Sequence, residues 1–457
     1  MATDFSTLSL RPELLRSVEQ VGYVEMTPIQ EQGLPLMLTG KDVIGQAKTG
    51  SGKTAAFGLA LLNAIDTAQL VTQALVLCPT RELADQVAAE LRRLSQRLPN
   101  TRILTLCGGR PYRGQLAALK HGNHVIVGTP GRIWKHLRKD TLRLDDLSVM
   151  VLDEADRMMD MGFVDQVMSI LEYVPKDRQT LLFSATMPDE IRALSRSIQR
   201  EPVTVQVESR VETSLLRQLV FECDRGERHQ TVVNLLARYR PKTALVFSET
   251  RIDCDILAER LSKHGAMALA LHGLMEQRDR DDVMLQFANG SVSVLVATNV
   301  AARGLDIPAL PMVIISELSY EAESHLHRIG RTGRAGEEGI ALSVVEPREL
   351  ERLEWVEELL GESIERGPKL RQSDDLSFLQ PTHRTLLILA GRSDKLRKAD
   401  VLGGLVKDAG IPPEMIGRID LLPKTCGVAV AEEYAKKALA HLRTGRIKNR
   451  RLRARLL

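Results

Sequence analysis

Short, continuous runs of apolar residues recur along most of the chain. One series of runs lies at residues 74–78, 124–127, 148–152 and 180–183, and a second lies at 243–247, 293–297, 312–315 and 340–344. Strands buried on both faces of a parallel sheet have this pattern. Because stretches of helical periodicity separate the runs, we expect two successive sets of βαβ units. The fold class is therefore predicted to be α/β, with two parallel-sheet domains in tandem.

The end of the chain has a different pattern. It predicts a strand at 385–390, a helix at 398–409, strands at 415–421 and 427–431, a helix at 434–442 and a strand at 452–457. The order βαββαβ is that of a split βαβ, ferredoxin-like sandwich, which is a small α+β domain. We place the domains at 1–205, 214–365 and 382–457, and we interpret the polar stretch 366–381 as a linker.

Composition excludes several classes of protein. The chain has 457 residues, of which 44% are hydrophobic and 26% charged, so it is not a wholly disordered chain. No apolar run approaches the roughly 18 to 20 residues that span a bilayer. The first residues lack the pattern of a secretory signal. The five cysteines are scattered, without a Cys-x-x-Cys pair, so no zinc site or disulfide framework is indicated. We expect a cytoplasmic protein without a membrane partner.

Basic residues are concentrated at the end of the chain. From residue 381 onward there are 17 Lys and Arg but 7 Asp and Glu, whereas the rest of the chain holds 45 and 52. Seven of those basic residues, and no acidic one, lie in 443–457. Such a segment is expected to make salt-dependent contacts with phosphates, so the predicted partner is a nucleic acid.

A phosphate-binding loop lies near the start of the first domain. Residues 47–54 read Ala-Lys-Thr-Gly-Ser-Gly-Lys-Thr, a P-loop in which Ala47 replaces the usual first glycine. We predict that Lys53 reaches the β- and γ-phosphates and that the Thr54 hydroxyl holds Mg²⁺. The full set of predicted nucleotide contacts from this loop is Lys48, Thr49, Gly50, Ser51, Gly52, Lys53 and Thr54.

Two carboxylates follow the apolar run at 148–152. Asp153 is predicted to hold Mg²⁺ through water, and Glu154 to orient the water that attacks the γ-phosphate. A P-loop combined with carboxylates at a strand end is far more specific than either feature alone. ATP and Mg²⁺ are therefore the predicted cofactors.

The second domain has no Gly-Lys-Thr sequence of its own, so we expect one nucleotide per chain. It carries Arg331 and Arg334, which are three residues apart and therefore share one face of a helical turn. Two guanidinium groups beside a γ-phosphate would neutralise the charge that develops during transfer. The alternative interpretation is a solvated basic helix.

Together these residues resemble the DEAD-box RNA helicases, ATP-dependent enzymes with two RecA-like domains. Residues 153–156 spell Asp-Glu-Ala-Asp, and residues 184–186 spell Ser-Ala-Thr, which resembles the family's motif that couples hydrolysis to RNA handling. The motifs follow the family's order over about residues 5–345. The resemblance implies coupling roles for Asp156, Ser184, Thr186 and His327.

Residues 22–30, Gly-Tyr-Val-Glu-Met-Thr-Pro-Ile-Gln, resemble the family's adenine-reading segment. The resemblance implies that Tyr23, Thr27, Gln30 and the isolated upstream aromatic Phe5 contact the nucleotide. The chemistry agrees, because a glutamine amide both donates to and accepts from the adenine edge. The alternative for Phe5 is a hydrophobic residue that covers the start of the chain.

The resemblance also implies where RNA is bound. In the first domain the implied residues are Pro79, Thr80, Arg81, Gly108, Gly109, Thr129, Pro130, Gly131 and Arg132, and in the second they are Arg251, Gly273, Gln277, Arg280 and Thr298. Contacts with the sugar–phosphate backbone carry no sequence information, so this core is expected to bind any RNA sequence. Asp306 is the implied ribose contact. Asn299 departs from the family's more frequent aspartate, which puts one charge-assisted contact in doubt.

Because the nucleotide residues are divided between two domains, ATP is expected to recruit Arg331, Arg334 and Asp306 only when the domains close. Closure would also unite the two sets of RNA loops, so ATP and RNA should bind with positive, reciprocal coupling. The resemblance further implies that closure bends one strand and opens short duplexes locally.

The C-terminal domain resembles the RRM-like RNA-binding domain of a bacterial group within this family. That resemblance implies a hairpin of 23S ribosomal RNA as target, and precursor particles of the large ribosomal subunit as partners; no protein partner is evident. The predicted RNA contacts are Arg446, Lys448, Arg450, Arg451 and Arg453. Residues 427–431 lack the aromatics on which an RRM sheet stacks bases, so we expect RNA to bind elsewhere on the domain.

Three alternatives remain open. The first alternative is an ATP-gated RNA clamp that does not unwind. The second is a general RNA helicase without ribosomal specificity, and the third is a P-loop NTPase that acts on DNA. Strand displacement on a short duplex separates the first from a helicase, and stimulation of ATP hydrolysis by DNA but not RNA would favour the last.

Overall fold

The computed structural model describes residues 4–47, 50–207, 216–302, 310–333, 338–445, 447 and 451–457. They form two compact units, one up to residue 207 and one from residue 216 onward. None of the helices in these ranges combines the length and the apolar character that a membrane span requires.

The first unit is built on a seven-stranded parallel sheet. Its strands are β1 (Val43–Gln46), β2 (Ala74–Leu77), β3 (Ile103–Leu106), β4 (Val125–Gly128), β5 (Val149–Leu152), β6 (Gln179–Ser184) and β7 (Val203–Gln206), in the spatial order β3-β4-β2-β5-β6-β1-β7. Its helices are α1 (Pro12–Val21), α2 (Pro28–Leu38), α3 (Lys53–Ala64), α4 (Arg81–Leu94), α5 (Tyr112–Leu119), α6 (Pro130–Leu137), α7 (Ala155–Asp160), α8 (Val164–Leu171) and α9 (Asp189–Ile198).

Helices cover both faces of this sheet, which explains the unbroken apolar runs. In β2, for example, Val76 belongs to the hydrophobic cluster on one face and Leu75 to the cluster on the other. Both side chains are completely buried. Alternate residues of a strand point to opposite faces, so a strand covered on both sides needs apolar residues at every position.

The second unit opens with another seven-stranded parallel sheet. Its strands are β8 (Leu216–Glu222), β9 (Ala244–Ser248), β10 (Ala268–Leu271), β11 (Val294–Thr298), β12 (Met312–Ile315), β13 (Gly339–Val345) and β14 (Glu365–Arg366), in the order β10-β11-β9-β12-β13-β8-β14. Its helices are α10 (Arg228–Tyr239), α11 (Arg251–Lys263), α12 (Gln277–Ala288), α13 (Asn299–Ala302), α14 (Ala322–Ile329) and α15 (Leu350–Leu360). The predicted pair of RecA-like parallel-sheet domains is confirmed.

A four-stranded antiparallel sheet completes the second unit. Its strands are β15 (His383–Ile388), β16 (Ile416–Leu421), β17 (Cys426–Ala431) and β18 (Ala454–Leu456), in the order β16-β17-β15-β18, and its helices are α16 (Lys398–Gly403) and α17 (Glu432–Thr444). A π-helical turn at Gly404–Asp408 continues α16. The predicted βαββαβ order and the α+β class of this domain are confirmed.

The segment 366–381, predicted to be a linker, packs against the second parallel sheet's domain. Its first residue belongs to β14, which pairs with β8, and Leu376 and Leu379 are buried in that domain's core. The backbone N–H of Leu376 donates to the carbonyl of His264 at 2.7 Å. The polar composition of the segment concealed two apolar anchors that fix it along its length.

One face of the C-terminal sheet packs on α12 and the turn after it. The hydroxyls of Ser291 and Thr385 lie 2.7 Å apart and are buried, and Arg455 pairs with Asp282. A Cβ added to Gly427 would lie 2.6 Å from Leu285, so glycine allows α12 to approach the sheet. The sheet face that is free in a typical RRM is therefore covered here.

Candidate nucleotide and RNA site

The P-loop connects β1 to α3 at the carboxyl edge of the first sheet. Gly50 and Gly52 have positive φ angles of 87° and 91°, conformations that favour glycine. A Cβ at Gly52 would also lie 2.6 Å from Nε2 of Gln30. Lys53 is buried at the start of α3, and its ammonium donates to the carbonyl of Ala47 at 2.6 Å. Lys48 and Thr49 lie outside the described residues.

The adenine-reading segment is bonded directly to this loop. Gln30 accepts from the backbone N–H of Thr27 at 2.9 Å, and its amide nitrogen donates to the carbonyl of Gly52 at 3.1 Å. Thr27 is the N-cap residue of α2, so this one glutamine joins the helix start to the phosphate loop. The buried hydroxyls of Thr27 and Ser51 have no hydrogen-bond partner among the described atoms.

The two aromatics assigned to the nucleotide lie in different surroundings. Phe5 is 2% exposed and belongs to the hydrophobic core, with its ring centroid 6.3 Å from that of Tyr23. The Tyr23 hydroxyl donates to Glu90 at 2.6 Å, and the Arg93 guanidinium lies 5.1 Å from its ring. Burial, followed by Glu90, raises the pKa of Tyr23 to about 12. Phe5 thus anchors the start of the chain beneath Tyr23.

Asp153 and Glu154 follow β5, in the middle of the sheet, and both are buried. Burial raises the pKa of Asp153 to about 7, an effect that the nearby Lys53 ammonium opposes and the Glu154 charge adds to. Oδ1 of Asp153 has no hydrogen-bond partner among the described atoms. Glu154 has a positive φ of 54° and accepts from Arg157 at 2.8 Å. An unsatisfied buried carboxylate oxygen is costly until a cation or a water reaches it.

Asp156 joins the ends of β5 and β6. Its Oδ2 accepts from the backbone N–H groups of Ala185 and Thr186, each at 3.0 Å, and from the Thr186 hydroxyl at 3.2 Å. Its own N–H donates to the Ser184 hydroxyl at 3.3 Å. Multiple hydrogen bonds to one carboxylate are strong. The segments 153–156 and 184–186 are therefore held together as one body, and this geometry brings three of the four predicted coupling residues into contact.

The predicted RNA loops of the first unit follow β2, β3 and β4, the three strands at one edge of its sheet. Thr80 caps α4 by accepting from the N–H of Leu83 at 3.2 Å. The Arg81 guanidinium occupies the space where a Cβ of Gly109 would lie, and Gly109 has a positive φ of 70°. Arg132 donates to Oε1 of Gln115 at 2.7 Å. The structure thus brings these loops together at one edge of the sheet. The predicted RNA residues in them are Pro79, Thr80, Arg81, Gly108, Gly109, Thr129, Pro130, Gly131 and Arg132.

In the second unit the predicted RNA residues follow the matching edge strands. Arg251 begins α11 after β9, Thr298 ends β11, and Gly273 and the start of α12 follow β10. Gln277 and Arg280 lie in the first turn of that helix. The strand order β10-β11-β9 therefore places these residues at one half of the carboxyl edge.

The segment 327–331 lies at the end of α14, after β12. Arg331 is 4% exposed and its backbone carbonyl accepts from the N–H of Leu310 at 3.1 Å. Arg328, to which no role was assigned from the sequence, is also buried; it pairs with Glu249 and donates to the carbonyl of Glu317 at 2.8 Å. It thereby fixes α14 to the loop after β9. Arg334 and Asp306 lie outside the described residues.

Asn299 acts as a donor. Its side-chain nitrogen donates to the hydroxyl of Ser324 at 3.2 Å, and that hydroxyl donates to Glu321 at 3.2 Å. An aspartate could only accept from Ser324. The amide therefore completes a chain of hydrogen bonds that joins the end of β11 to α14.

Comparison with known proteins assigns the whole chain. The DEAD/DEAH box helicase model matches residues 27–194, the helicase conserved C-terminal domain matches 227–336, and the DbpA RNA binding domain matches 385–456. The ATP-dependent RNA helicase DbpA of Escherichia coli (strain K12) is 48% identical over 457 residues, which cover 100% of both chains. The chain belongs to the DEAD-box ATP-dependent RNA helicases.

Other DEAD-box proteins match the helicase core. CshA of Geobacillus kaustophilus is 44% identical over 365 residues, which are 80% of this chain and 78% of the relative. A structure of S. cerevisiae Dbp5 bound to RNA and ADP BeF3 has a TM-score of 0.73 and 30% identity, and covers 80% of this chain and 96% of that chain. This DEAD-box chain therefore uses ATP and binds RNA.

The basic end of this DEAD-box chain is divided between two surroundings. Arg451 and Arg453 are exposed, whereas Arg455 is half-buried in its ion pair with Asp282. Arg446, Lys448 and Arg450 lie outside the described residues. Arg455 is one of the seven basic residues of segment 443–457, and a pattern of charge does not show which of these cations has a carboxylate partner in the fold.

Proposed function

We propose that this DEAD-box protein locally unwinds short RNA duplexes by ATP-driven closure of its two RecA-like domains. We further propose that its C-terminal domain directs it to a hairpin of 23S ribosomal RNA during assembly of the large ribosomal subunit, in the cytoplasm. The match of residues 385–456 to the DbpA RNA binding domain supports this target.

The observation that carries the coupling of ATP to RNA is the set of bonds around Asp156. These bonds join the carboxylate segment at the end of β5 to the Ser184–Thr186 segment at the end of β6. A shift of one segment must therefore move the other. Because β5 also adjoins β2, whose loop carries Arg81, a change at the nucleotide reaches the RNA loops through neighbouring strand ends.

The residues at the P-loop fit a magnesium–triphosphate. The buried Asp153 oxygen and the hydroxyl of Ser51 have no partner among the described atoms, and Lys53 lies beside them. Mg²⁺ takes one or two protein oxygens plus phosphates and waters, which suits Thr54 and Asp153 as the residues that would hold it. When bound, Mg²⁺ neutralises charge on the phosphate oxygens.

The chain's own groups then supply the remaining chemistry. Lys53 binds the phosphates, Glu154 orients the water for attack on the γ-phosphorus, and Gln30 reads adenine while holding Gly52 in place. Arg331 of the second unit, with Arg334 and Asp306, completes the set on closure and stabilises the charge of the transferring phosphoryl group. His327 couples this arginine segment to RNA binding.

The structure of the C-terminal domain supports an RNA site away from its sheet. Its sheet face is covered by α12, and Thr385, in the centre of that face, is completely buried. The exposed Arg451 and Arg453 lie just before β18 instead. We propose that these two residues, with Arg446, Lys448 and Arg450, contact the hairpin.

The test compares RNAs that differ only in the target. ATP hydrolysis by the full chain is measured against a ribosomal RNA fragment that carries the hairpin and against a shuffled RNA of equal length. We expect half-maximal activation of ATP hydrolysis at a concentration of hairpin RNA at least about tenfold lower than that of the shuffled RNA. The double substitution R451Q/R453Q should remove most of that difference. Equal activation by both RNAs would leave a general helicase.

The matched control is K424Q/K436Q, which removes two exposed cations from other parts of the same domain. It should leave the preference unchanged. A strand-displacement assay on a short duplex attached to the hairpin tests unwinding itself, since an ATP-gated clamp would hydrolyse ATP without releasing the strand. Stimulation by DNA but not by RNA would contradict the proposal as a whole.

A further inference from the structure

Apart from Arg132, an exposed basic surface of the first unit has no role in the function described so far. It is formed by the ring of Tyr112, at the start of α5, and by three cations on and after α6. The Arg132 guanidinium lies 5.8 Å from the ring centroid, and the ammonium groups of Lys135 and Lys139 lie 5.6 Å and 5.3 Å from it. We call these four residues the Tyr112 patch.

The spacing of the cations creates the patch. Residues 132, 135 and 139 are three and seven positions apart, so α6 and the turn after it present them on one side. The ring is fixed at their centre, because it stacks on His136 with centroids 4.5 Å apart and planes 14° apart. The Tyr112 hydroxyl lies 3.2 Å from the hydroxyl of Thr141. The patch is therefore a built surface with an anchored ring.

Its positive charge is not neutralised within the described part of the chain. Neither Lys135 nor Lys139 forms an ion pair with a carboxylate there, whereas the nearby Arg110 and Arg143 pair with Asp85 and Asp145. The buried His136 responds to this field: burial, followed by the charges of Arg132 and Lys135, lowers its pKa to about 4. Crowded like charges are stabilised by an anion that binds among them.

The chemistry of the patch favours phosphate over bases as its ligand. One face of the Tyr112 ring is stacked on His136, and three cations surround the ring, so a base has little access to it. Lysine and arginine bind phosphates through their charge, without regard to sequence. Arg132 also lies in the first turn of α6, just after β4, among the residues proposed to bind RNA.

We propose that the Tyr112 patch is an accessory binding site for the phosphate backbone of the same RNA strand, continuing from Arg132 along α6. This proposal rests on the proposed RNA-dependent function of the core. The site extends the bound strand beyond the motif loops, and it increases affinity for long RNA without adding sequence preference. Lys135 and Lys139 make the new contacts, and Tyr112 holds them in position.

The test is the salt dependence of RNA binding by the full chain. Apparent affinity is obtained from activation of ATP hydrolysis by two single strands, one of about 20 nucleotides and one of about six. The shorter strand is long enough to occupy the motif loops but not the patch as well. For K135Q/K139Q we expect affinity for the long strand to fall about fivefold to tenfold, and the slope of log affinity against log salt to fall by about 1.4, which corresponds to two phosphates. Affinity for the short strand should change less than twofold.

Two further variants separate this site from a general charge effect. K41Q/K176Q removes two exposed cations from the opposite edge of the sheet and should change neither slope nor affinity. Y112L keeps every charge but removes the anchoring ring, and should reduce affinity for the long strand about twofold to threefold.

The patch is not an RNA site if K135Q/K139Q leaves the salt slope unchanged, if it weakens short and long strands equally, or if K41Q/K176Q has the same effect. In each of these cases RNA would still activate ATP hydrolysis by the wild-type chain, so the proposed function would stand. Absence of activation of the wild type by any RNA would instead contradict the proposed function.

Discussion

The two parallel sheets have the same strand arrangement, but the polar groups that follow one matching pair of strands differ in their partners. β1 and β8 occupy the same place in their sheets, and each is followed by a turn and a helix. After β1 the helix begins with Lys53, and the adjacent Asp153 oxygen has no partner among the described atoms. After β8 the helix begins with Arg228, which is paired with Glu349 at 2.6 Å and with Glu346 at 3.5 Å.

The difference shows how one architecture serves two purposes. In the second sheet a buried ion-pair network lies at the position that matches the proposed phosphate site of the first sheet, and the carbonyl of Ser316, just after β12, accepts from Arg228 as well. Buried charges that are fully paired have little to gain from a ligand. Both sheets nevertheless carry the residues proposed to contact RNA after the same three edge strands. We therefore propose that RNA binding is duplicated and nucleotide binding is not.

Among substitutions in the second unit, we expect the greatest loss of ATP hydrolysis when Arg331 is replaced. We predict that R331Q lowers kcat for RNA-stimulated ATP hydrolysis by about 10³-fold, because arginine fingers contribute about 10³ to 10⁵ in related enzymes. Binding of ATP in the absence of RNA should change less than twofold. As a control, R352Q removes another buried arginine of the same unit and should retain most of kcat. A full kcat in R331Q would contradict the role assigned to this arginine.

The next prediction compares the helix starts directly. R228M removes the cation 2.6 Å from the buried Glu349 and leaves that carboxylate with the more distant Arg352, at 3.7 Å. We therefore expect the free energy of unfolding to fall by about 3 kcal/mol while ATP affinity stays within twofold. K53M should have the opposite profile, with lost ATP hydrolysis and a smaller loss of stability. Urea unfolding and nucleotide titration measure the two quantities. Lost ATP affinity in R228M would mean that the second sheet also serves the nucleotide.

The smallest effect is expected at Asn299. N299D replaces the donated hydrogen bond by one accepted from the Ser324 hydroxyl, and that hydroxyl must then stop donating to Glu321. Since one neutral hydrogen bond contributes about 1 kcal/mol, kcat and RNA affinity should change about fivefold at most. S324A is the matched control, because it removes the hydroxyl through which Asn299 is connected to Glu321. A loss near that of R331Q would show that the amide itself is essential.

The sequence predicted four strands of each parallel sheet, because strands that are buried on both faces have continuous apolar runs. The strands β1, β3, β7, β8, β10 and β14 were not among the predicted runs. The predicted strands agree with β2, β4, β5 and β6, and with β9, β11, β12 and β13, to within one residue at each boundary. The P-loop was identified because Gly50 and Gly52 need positive φ angles that few other residues adopt. These features depend on local sequence and on backbone conformation.

What could not be predicted depends on partners that are distant in sequence. Arg328 pairs with Glu249, 79 residues away, and Arg455 pairs with Asp282, 173 residues away. Leu376 and Leu379 anchor a segment whose composition is polar. Periodicity reports whether a residue is buried, whereas it carries no information about which residue lies opposite. The face of the C-terminal sheet is covered because of such distant pairs, which the sequence does not reveal. The absence of aromatic residues from strand β17 was visible in the sequence.

We propose that ATP bound to the first unit and RNA bound to both units stabilise one closed state. The most direct measurement is the affinity of the wild-type chain for a non-hydrolysable ATP analogue, with and without saturating single-stranded RNA, together with the affinity for RNA with and without the analogue. We predict that each ligand tightens the other by the same factor, at least about fivefold. Affinities that are independent of the other ligand would contradict the claim.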